Sequence, residues 1–544
     1  MTQTVRLLST YNGNRPGTIV TVDDAVAVQL LQGGINATTD LTGGVVPKQP
    51  APAVPSPGFR DLAAVPKKHA ALHILSVNNF RPFCESVPGT YIVAASFGKQ
   101  LATFTGDVTK DEPVTGAGGN SVISTKFSWH DATSAQGMYN NDGSAIVSGT
   151  NAVINQVWKL SSGTMLMLAQ AHHANSAHAP FYLHRVAANF DCGTSANNRR
   201  ASLHLGATDT TGVGAPTPGI RVLHQRSVCE FTRNNGTKVI LLAEYNVANA
   251  GSNAPRTPGG ANDQVTVWVS TNDGVSFTRL MQFNTGGVHR FSHLHAAVYN
   301  KYTRRVYFLL GDINDENAVI AWDGESAAPA GANAEAGNNP SHAQIAAAPG
   351  WAIAYGNELC RYGDLVFTPD GDIFGLPDSD SNPELAGEAP TGIAAKGIDA
   401  YVGCKLTHRL ETIVAGRPLQ RYRHIPPLIG LRHSSGAMVY GSLRTADNNP
   451  GGNNRTGPTF EPYHWFWTAN ENANPEWSLA AKIRNFHNAA TGNVLDLWED
   501  SKGNIIAGVT FSRGVSWGGP SRTATSAVFS ITPQATPPDV VVDV

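Results

Sequence analysis

The 544-residue chain carries 39 Lys and Arg against 41 Asp and Glu, a formal net charge of −2, and only 15% of its residues are charged. That balance gives no electrostatic case for binding nucleic acid or an anionic membrane surface, and no apolar run reaches the length of about 18 residues that a membrane-spanning helix needs. Gly (55) and Pro (33) are abundant, as expected of short strands joined by many turns.

Residues 1–44 read as a small ββα module. Val5-Arg6-Leu7-Leu8 and Thr18-Ile19-Val20-Thr21-Val22 are expected strands, separated by the turn Asn12-Gly13-Asn14-Arg15-Pro16-Gly17. Asp23 or Asp24 is placed to cap a helix over residues 25–31, which Gly33-Gly34 would stop. The first residues, Met1-Thr2-Gln3-Thr4-Val5-Arg6, lack the apolar stretch of a secretory signal. A unit this small buries too little surface to stand alone, so it is expected to dock on something else. Residues 45–64 are a proline-rich linker with the stiffness of an extended spacer.

From residue 65 to 532 one pattern recurs: a strand-like run, a polar turn and a very apolar run. The turns centre on Gly89, Gly163, Gly236, Thr303, Gly371, Gly436 and Gly503, at spacings of 74, 73, 67, 68, 65 and 67. The following runs include Met165-Leu166-Met167-Leu168, Val239-Ile240-Leu241-Leu242 and Val306-Tyr307-Phe308-Leu309. A hairpin period of this length predicts a radial β array. The expected fold is all-β: a seven-bladed β-propeller with the ββα module on its proline-rich linker. Stretches such as 326–350 and 447–457, rich in Gly, Asn and Ala, are expected loop insertions. Thr532-Pro533-Gln534 is expected to break regular structure and open a tail over 533–544. Five cysteines without a CxxC pair argue against a disulfide framework or zinc site; Cys84, Cys229 and Cys360, each shortly before a turn, are expected buried thiols.

Ser270-Thr271-Asn272-Asp273-Gly274-Val275-Ser276-Phe277 resembles the Asp-box of bacterial neuraminidase repeat (sialidase-like) propellers, with Asn272 in the usual Asp place and Phe277 in that of Trp. Physically it is a hairpin turn whose Asx side chain bonds the turn backbone and whose aromatic plugs between strands. Residues 289–312 and 360–380 resemble successive blades of such proteins. The segment LLSTYNGNRPGTIVTVDDAVAVQLLQGG resembles the small N-terminal modules of tailed-phage head and fibre proteins. That resemblance implies a virion component docked on a capsid or tail protein through residues 1–44, as a homo-oligomer on the particle.

Counting back from each turn gives Arg81, Asn155, Arg226, His293, Arg361, His424 and Asn493. All are polar, and all are expected near the start of an innermost strand, where a propeller exposes groups around its axis. Arginine forks suit carboxylate or sulfate. Phe80-Arg81-Pro82 is similar to the F/Y-R-I-P motif of sialidases, whose arginines hold a sugar carboxylate. These seven residues are therefore the candidate ligand-binding ring for a surface glycan, balanced against a purely structural role in closing gaps between blades. His293 and His295 lie on one face of a strand, but no third metal ligand is identifiable, so neither a metal nor a cofactor is expected. Glu230, Tyr362, Asp364, Glu461 and Tyr463 have the chemistry for glycan hydrolysis, and His293 or Tyr362 that of a lyase base, but no spacing selects a pair. Tyr463-His464-Trp465-Phe466-Trp467 is the densest aromatic cluster. The reading is a glycan-binding virion protein without catalytic residues; the alternative is a glycan-degrading enzyme of hydrolase or lyase type.

Overall fold

The computed structural model describes residues 2–7, 19–23 and 37–38, and most of 69–95, 100–130, 153–170, 181–186, 198–204, 222–245, 264–284, 294–311, 317–355, 360–377, 400–422, 427–442, 463–469, 477–484, 491–512 and 522–534. One compact unit comprises Met1–Pro66 with His408–Ile413. In it the expected strands form, as Thr2–Leu7 and Ile19–Asp23, paired antiparallel. An unforeseen third strand, Ala37–Thr38, pairs with the first. The helix expected over 25–31 and the whole proline-rich linker lie outside the described residues.

The larger unit, Lys67–Thr407 with Val414–Val544, is a β-propeller. Six of its sheets are four-stranded, and the third in chain order has five strands. Of the seven expected blades, six are present as four-stranded sheets. The fifth strand has a local cause: residues 198–204 first complete the outer edge of the second sheet with Asn198–Arg200, then cross over so that Ser202–His204 adds parallel to Ser276–Asn284 of the third.

The innermost strands are Arg81–Val87, Val153–Lys159, Val228–Thr232, Leu294–Asn300, Tyr362–Phe367, Pro427–Arg432 and Thr491–Glu499. The second strand of each sheet is the apolar run read from the sequence. Leu166–Leu168, Val239–Ala243, Val306–Leu310, Met438–Tyr440 and Ile505–Ala507 are buried at every position, because both faces of each sheet are covered by its neighbours. Each such Leu- or Ile-sized side chain contributes roughly 1.5–3 kcal/mol of transfer free energy. One core joins Trp158, Leu168 and Leu183 of the second sheet to Leu242, Trp268 and Phe277 of the third. Others join the third to the fourth, the sixth to the seventh, and the seventh to the first.

The hairpin turns are built as the glycine pattern demands. Gly89, Gly163, Gly236, Gly436 and Gly503 all have positive φ, between 77° and 93°, a conformation in which glycine carries no Cβ penalty. In the fourth sheet Arg304 takes this place at φ 58°. The turn apex is thus one residue beyond Thr303, and the amide of Arg304 donates to the carbonyl of Asn300 (2.7 Å). Gly371 lies outside the described residues.

The seventh sheet closes the ring with strands from opposite ends of the unit: His69–Asn78 pairs antiparallel with Arg522–Gln534. The expected break at Thr532-Pro533 is absent, and Pro533 sits opposite Ala70 near the end of the strand. Of the expected loop insertions, 326–350 contains a helix, His342–Ala347, whose N-terminus is capped reciprocally by Ser341 and Gln344. Its Ile345 packs with Trp322 and Trp351, two indoles stacked at 5.4 Å. Residues 447–457 lie outside the described residues. Among the described residues no helix is long and apolar enough to cross a membrane.

Candidate functional site

Strand direction separates two rims. Each innermost strand runs from one rim to a tight hairpin turn at the other, so the second and third strands meet again at the starting rim. The sequence intervals 171–180, 246–263, 378–399, 443–462 and 513–521 all join strand ends at that starting rim, as does 131–152 between the first two sheets. Most long connections thus meet this rim, although 323–350 lies on the other, and long connections on a rigid scaffold mark a candidate binding face.

The tight-turn rim is an arrangement of clasps. Ser161 donates its amide and hydroxyl to Glu230 of the next sheet, both at 2.7 Å. Ser501 does the same to Glu85 (both 2.8 Å), across the ring closure. The Ser434 amide bonds Glu499 (2.9 Å). Glu230, weighed above as a catalytic carboxylate, is spent on this clasp. The Ser270–Phe277 turn forms on the same rim. Asn272 Oδ1 accepts the Ser276 amide (3.0 Å), and Ser270 Oγ accepts that of Gly274 (3.1 Å). Phe277 is buried between the second and third sheets. Asp273 accepts from Ser162 (2.6 Å), Thr164 (2.7 Å) and Arg185 (2.6 Å) of the second sheet. Burial opposes its charge, but these three partners outweigh burial and hold the carboxyl below its usual range.

On the axis, six innermost strands carry a β-bulge, between Pro82/Cys84, Ile154/Gln156, Leu294/Ala296, Tyr362/Asp364, Pro427/Ile429 and Val494/Asp496. A bulge re-aims the following side chain. Gln156, Asp364 and Asp496, each just past a bulge, are buried and take part in axial hydrogen bonds. Arg81, 3% exposed, bonds Asp496 through Nε and Gln156 through Nη2, and Gln156 Nε2 donates to the other oxygen of Asp496. Three sheets are tied by this one triad. A Cβ on Gly508 would stand 2.2 Å from Asp496 Oδ2, so the glycine there makes room for the carboxylate.

The innermost strand of the third sheet pairs without a bulge; a 3-10 turn, Gln225–Ser227, precedes it. His224 caps it, its Nδ1 accepting the Arg226 amide (3.0 Å), and its other nitrogen donates to the Gly363 carbonyl (2.8 Å). Burial pushes the His224 imidazole down to about 3, so it stays neutral. Trp158 Nε1 donates to the Gln225 carbonyl (2.7 Å), and Gln225 Oε1 accepts the Leu497 amide (3.4 Å). Arg226 donates to the Gly430 carbonyl (2.9 Å) and lies 3.5 Å from Asp364 Oδ2. Ser227 donates to the His295 carbonyl (3.3 Å). This short turn therefore touches the second, fourth, fifth, sixth and seventh sheets and plugs the axis. Asp364 also accepts the amides of Leu365 (2.8 Å) and Gly430 (2.9 Å). Burial pushes its carboxyl up to about 6, against the pull of Arg226 and those two amides.

Of the seven ring residues, Arg81 opens its innermost strand, Arg226 lies in the plug and Arg361 immediately precedes Tyr362–Phe367. Asn155 and Asn493 lie on innermost strands; their side chains, and His293 and His424 altogether, are outside the described residues. The structure brings Arg81 and Arg226 into the axial network. It also adds Gln156, Gln225, His224 and Asp496, which sequence reasoning missed. Gln156 and Asp496 share a fixed offset with Asp364, each standing seven residues before a turn glycine, whereas Gln225 and His224 carry no such signal.

Among the other candidates, Tyr362 is fully buried, as are Phe466 and Trp467 of the aromatic cluster. Glu461 lies outside the described residues, and of Tyr463 only the strand position is described. Of the three expected buried thiols, Cys360 is buried and Cys84 and Cys229 are partly buried; burial still pushes the last two up to about 12. Glu244, at the loop-rich rim of the third sheet, is a buried carboxyl that accepts from the Thr266 amide (3.2 Å) and Trp268 Nε1 (3.3 Å). Burial pushes it up to about 8. Among the described residues no group of three or more His, Cys, Asp or Glu is placed to hold a metal ion.

No protein-family model and no curated protein matches the sequence. Solved structures do. A protein of unknown function from Dyadobacter fermentans is 11% identical, with 73% of this chain and 97% of that one covered and a TM-score of 0.34. The C-terminal WD40 domain of Sif2 is 8% identical over 87% of this chain and 100% of that one, at 0.34. A GH43 β-xylosidase/α-arabinofuranosidase from a compost microbial metagenome is 12% identical over 58% of this chain and 92% of that one, at 0.31. The chain is similar to these proteins only as one divergent fold is to another, and no activity is transferred from them; its own sheets and their order make it a β-propeller.

Proposed function

We propose that the chain is a binding and display scaffold: a seven-bladed propeller, counting the five-stranded third sheet as the remaining blade, whose loop-rich rim binds acidic or hydroxyl-rich surface glycans. The observation that carries this reading is the axial network. Asp496 is engaged by Arg81 and Gln156, and Asp364 by Arg226 and two backbone amides. Carboxylates and arginines that neutralise one another in this way serve to hold a ring rigid. Arg81 is spent on that task. The ligand contacts at the mouth then fall to Arg226, whose side chain is 31% exposed, and to Arg361. The separate N-terminal unit and its resemblance to phage modules support attachment to a tailed-phage particle through residues 1–44, with the propeller displayed on the virion.

Two measurements test this. Titration of the full chain with acidic polysaccharides should give saturable binding that Arg361→Ala weakens at least tenfold; binding to none of a broad glycan panel overturns the reading. Deleting residues 1–66 should abolish association with purified particles while glycan binding persists. A second reading, a glycan-degrading enzyme, draws on Asp364, whose carboxyl near 6 lies in the range of a general acid. Release of reducing ends or unsaturated uronates, lost in Asp364→Asn, would establish that alternative.

A further inference from the structure

The plug has a property that neither binding nor display requires. Among the described residues its one contact between formal charges is Arg226 with Asp364, and it is the longest of the three that Asp364 makes (3.5 Å, against 2.8 and 2.9 Å to the two amides). Withdrawing Arg226 would leave both amide bonds in place and strand only the charge of a fully buried carboxylate. We propose that the His224–Ser227 turn is an acid-released latch, held across the axis at neutral pH by the Arg226–Asp364 pair and loosened when Asp364 takes a proton.

The direction follows from linkage. Withdrawing the Arg226 guanidinium, with Asp364 still buried on its two amides, removes the influence that lowers the carboxyl and keeps the burial that raises it, so the carboxyl binds its proton more tightly when the turn is withdrawn than when it is docked. Protonation therefore favours withdrawal. The groups facing Asp364 from the surrounding elements are Arg226 and His224 on the turn, His295 on the fourth sheet through its contact with the Tyr362 carbonyl, and Tyr440 on the sixth. His224 is neutral throughout the window and burial lifts the Tyr440 hydroxyl far above it. His295 is the competing titrating group.

The Leu497 amide reports the latch directly, because its acceptor is Gln225 of the plug. Hydrogen exchange of the full chain, divided by intrinsic rates, should show protection in peptides spanning 224–230 and 491–499 falling about tenfold from pH 7.5 to pH 5, the effect of about one pK unit of coupling. Protection over the second strand Ile505–Ser512 should not fall. In Asp364→Asn the two peptides should be equally loose at both pH values. Should that variant not fold, Arg226→Met gives the same test, since it removes the charge that couples proton to turn. Gln225→Ala should lower protection at Leu497 while keeping the pH dependence. A wild-type chain without pH dependence in these peptides overturns the proposal. So does a dependence that survives in Asp364→Asn or Arg226→Met, which would assign it to His295.

Discussion

Replacing Glu244 by glutamine isolates the largest electrostatic burden described in the third sheet. The carboxyl is buried beside Trp268 and moves from an ordinary value of 4.5 to about 8, chiefly through burial. Its two donors, the Thr266 amide and the Trp268 indole, find an equivalent acceptor in the glutamine amide oxygen, so packing and hydrogen bonding survive the change. A raised carboxyl favours the folded state fully below its unfolded value near 4.5, and that contribution is lost as pH rises through 8. At about 1.4 kcal/mol per unit, the wild-type chain should lose on the order of 5 kcal/mol from this group between pH 4.5 and pH 8 and above. Urea unfolding of wild type and Glu244→Gln at half-unit steps from pH 4.5 to pH 9 provides the assay. The two should be alike at pH 4.5, and the variant should become progressively more stable above it. Parallel stability curves across the range would refute the assignment of a protonated Glu244 at neutral pH.

Other outcomes follow from the axis, the clasps and the ring closure. Asp496→Ala leaves Arg81 buried without its counter-charge and should destabilise by about 3–5 kcal/mol in urea unfolding, and Gly508→Ala should act in the same direction by crowding Asp496, by about 1–3 kcal/mol. Ser501→Ala at the exposed Glu85 clasp should change stability by less than about 1 kcal/mol in the same measurement. The Asp273 clamp contributes stability above the usual carboxylate range and loses it as pH falls through its lowered value, so Asp273→Asn should flatten the acid limb of the wild-type pH profile. Deleting residues 1–66 should leave a cooperative unfolding transition, whereas deletion through Asn78 should abolish it by removing a strand of the seventh sheet.

The fold was legible because its signal is repeated. Glycines with positive φ recur at Gly89, Gly163, Gly236, Gly436 and Gly503, each followed by a run that both faces bury. The crossover at residues 198–204 was not, because three residues on each side of Ala201 carry no periodicity. The axial site was half legible. Polar residues before each turn pointed to the right strand ends, but one inserted residue reverses the alternation of side chains, and a period of two cannot be counted across it. That is why counting back from the turns reaches Asn155 where Gln156 joins the network, and Asn493 where Asp496 does. The plug was legible only as Arg226, since its reach across five sheets comes from a 3-10 turn that local sequence does not distinguish from loop.

The seventh sheet also sets the order of events in making the protein. Asn78 pairs with Ser526 and His69 with Gln534, so one edge of the ring must wait for the last part of the chain to leave the ribosome. At roughly 15 residues per second, that delay is about half a minute. Throughout it, His69–Asn78 has no partner strand, and contacts so distant in sequence form slowly. A nascent chain in this state carries an unpaired β edge, and that edge is where a second copy or a chaperone would first engage it.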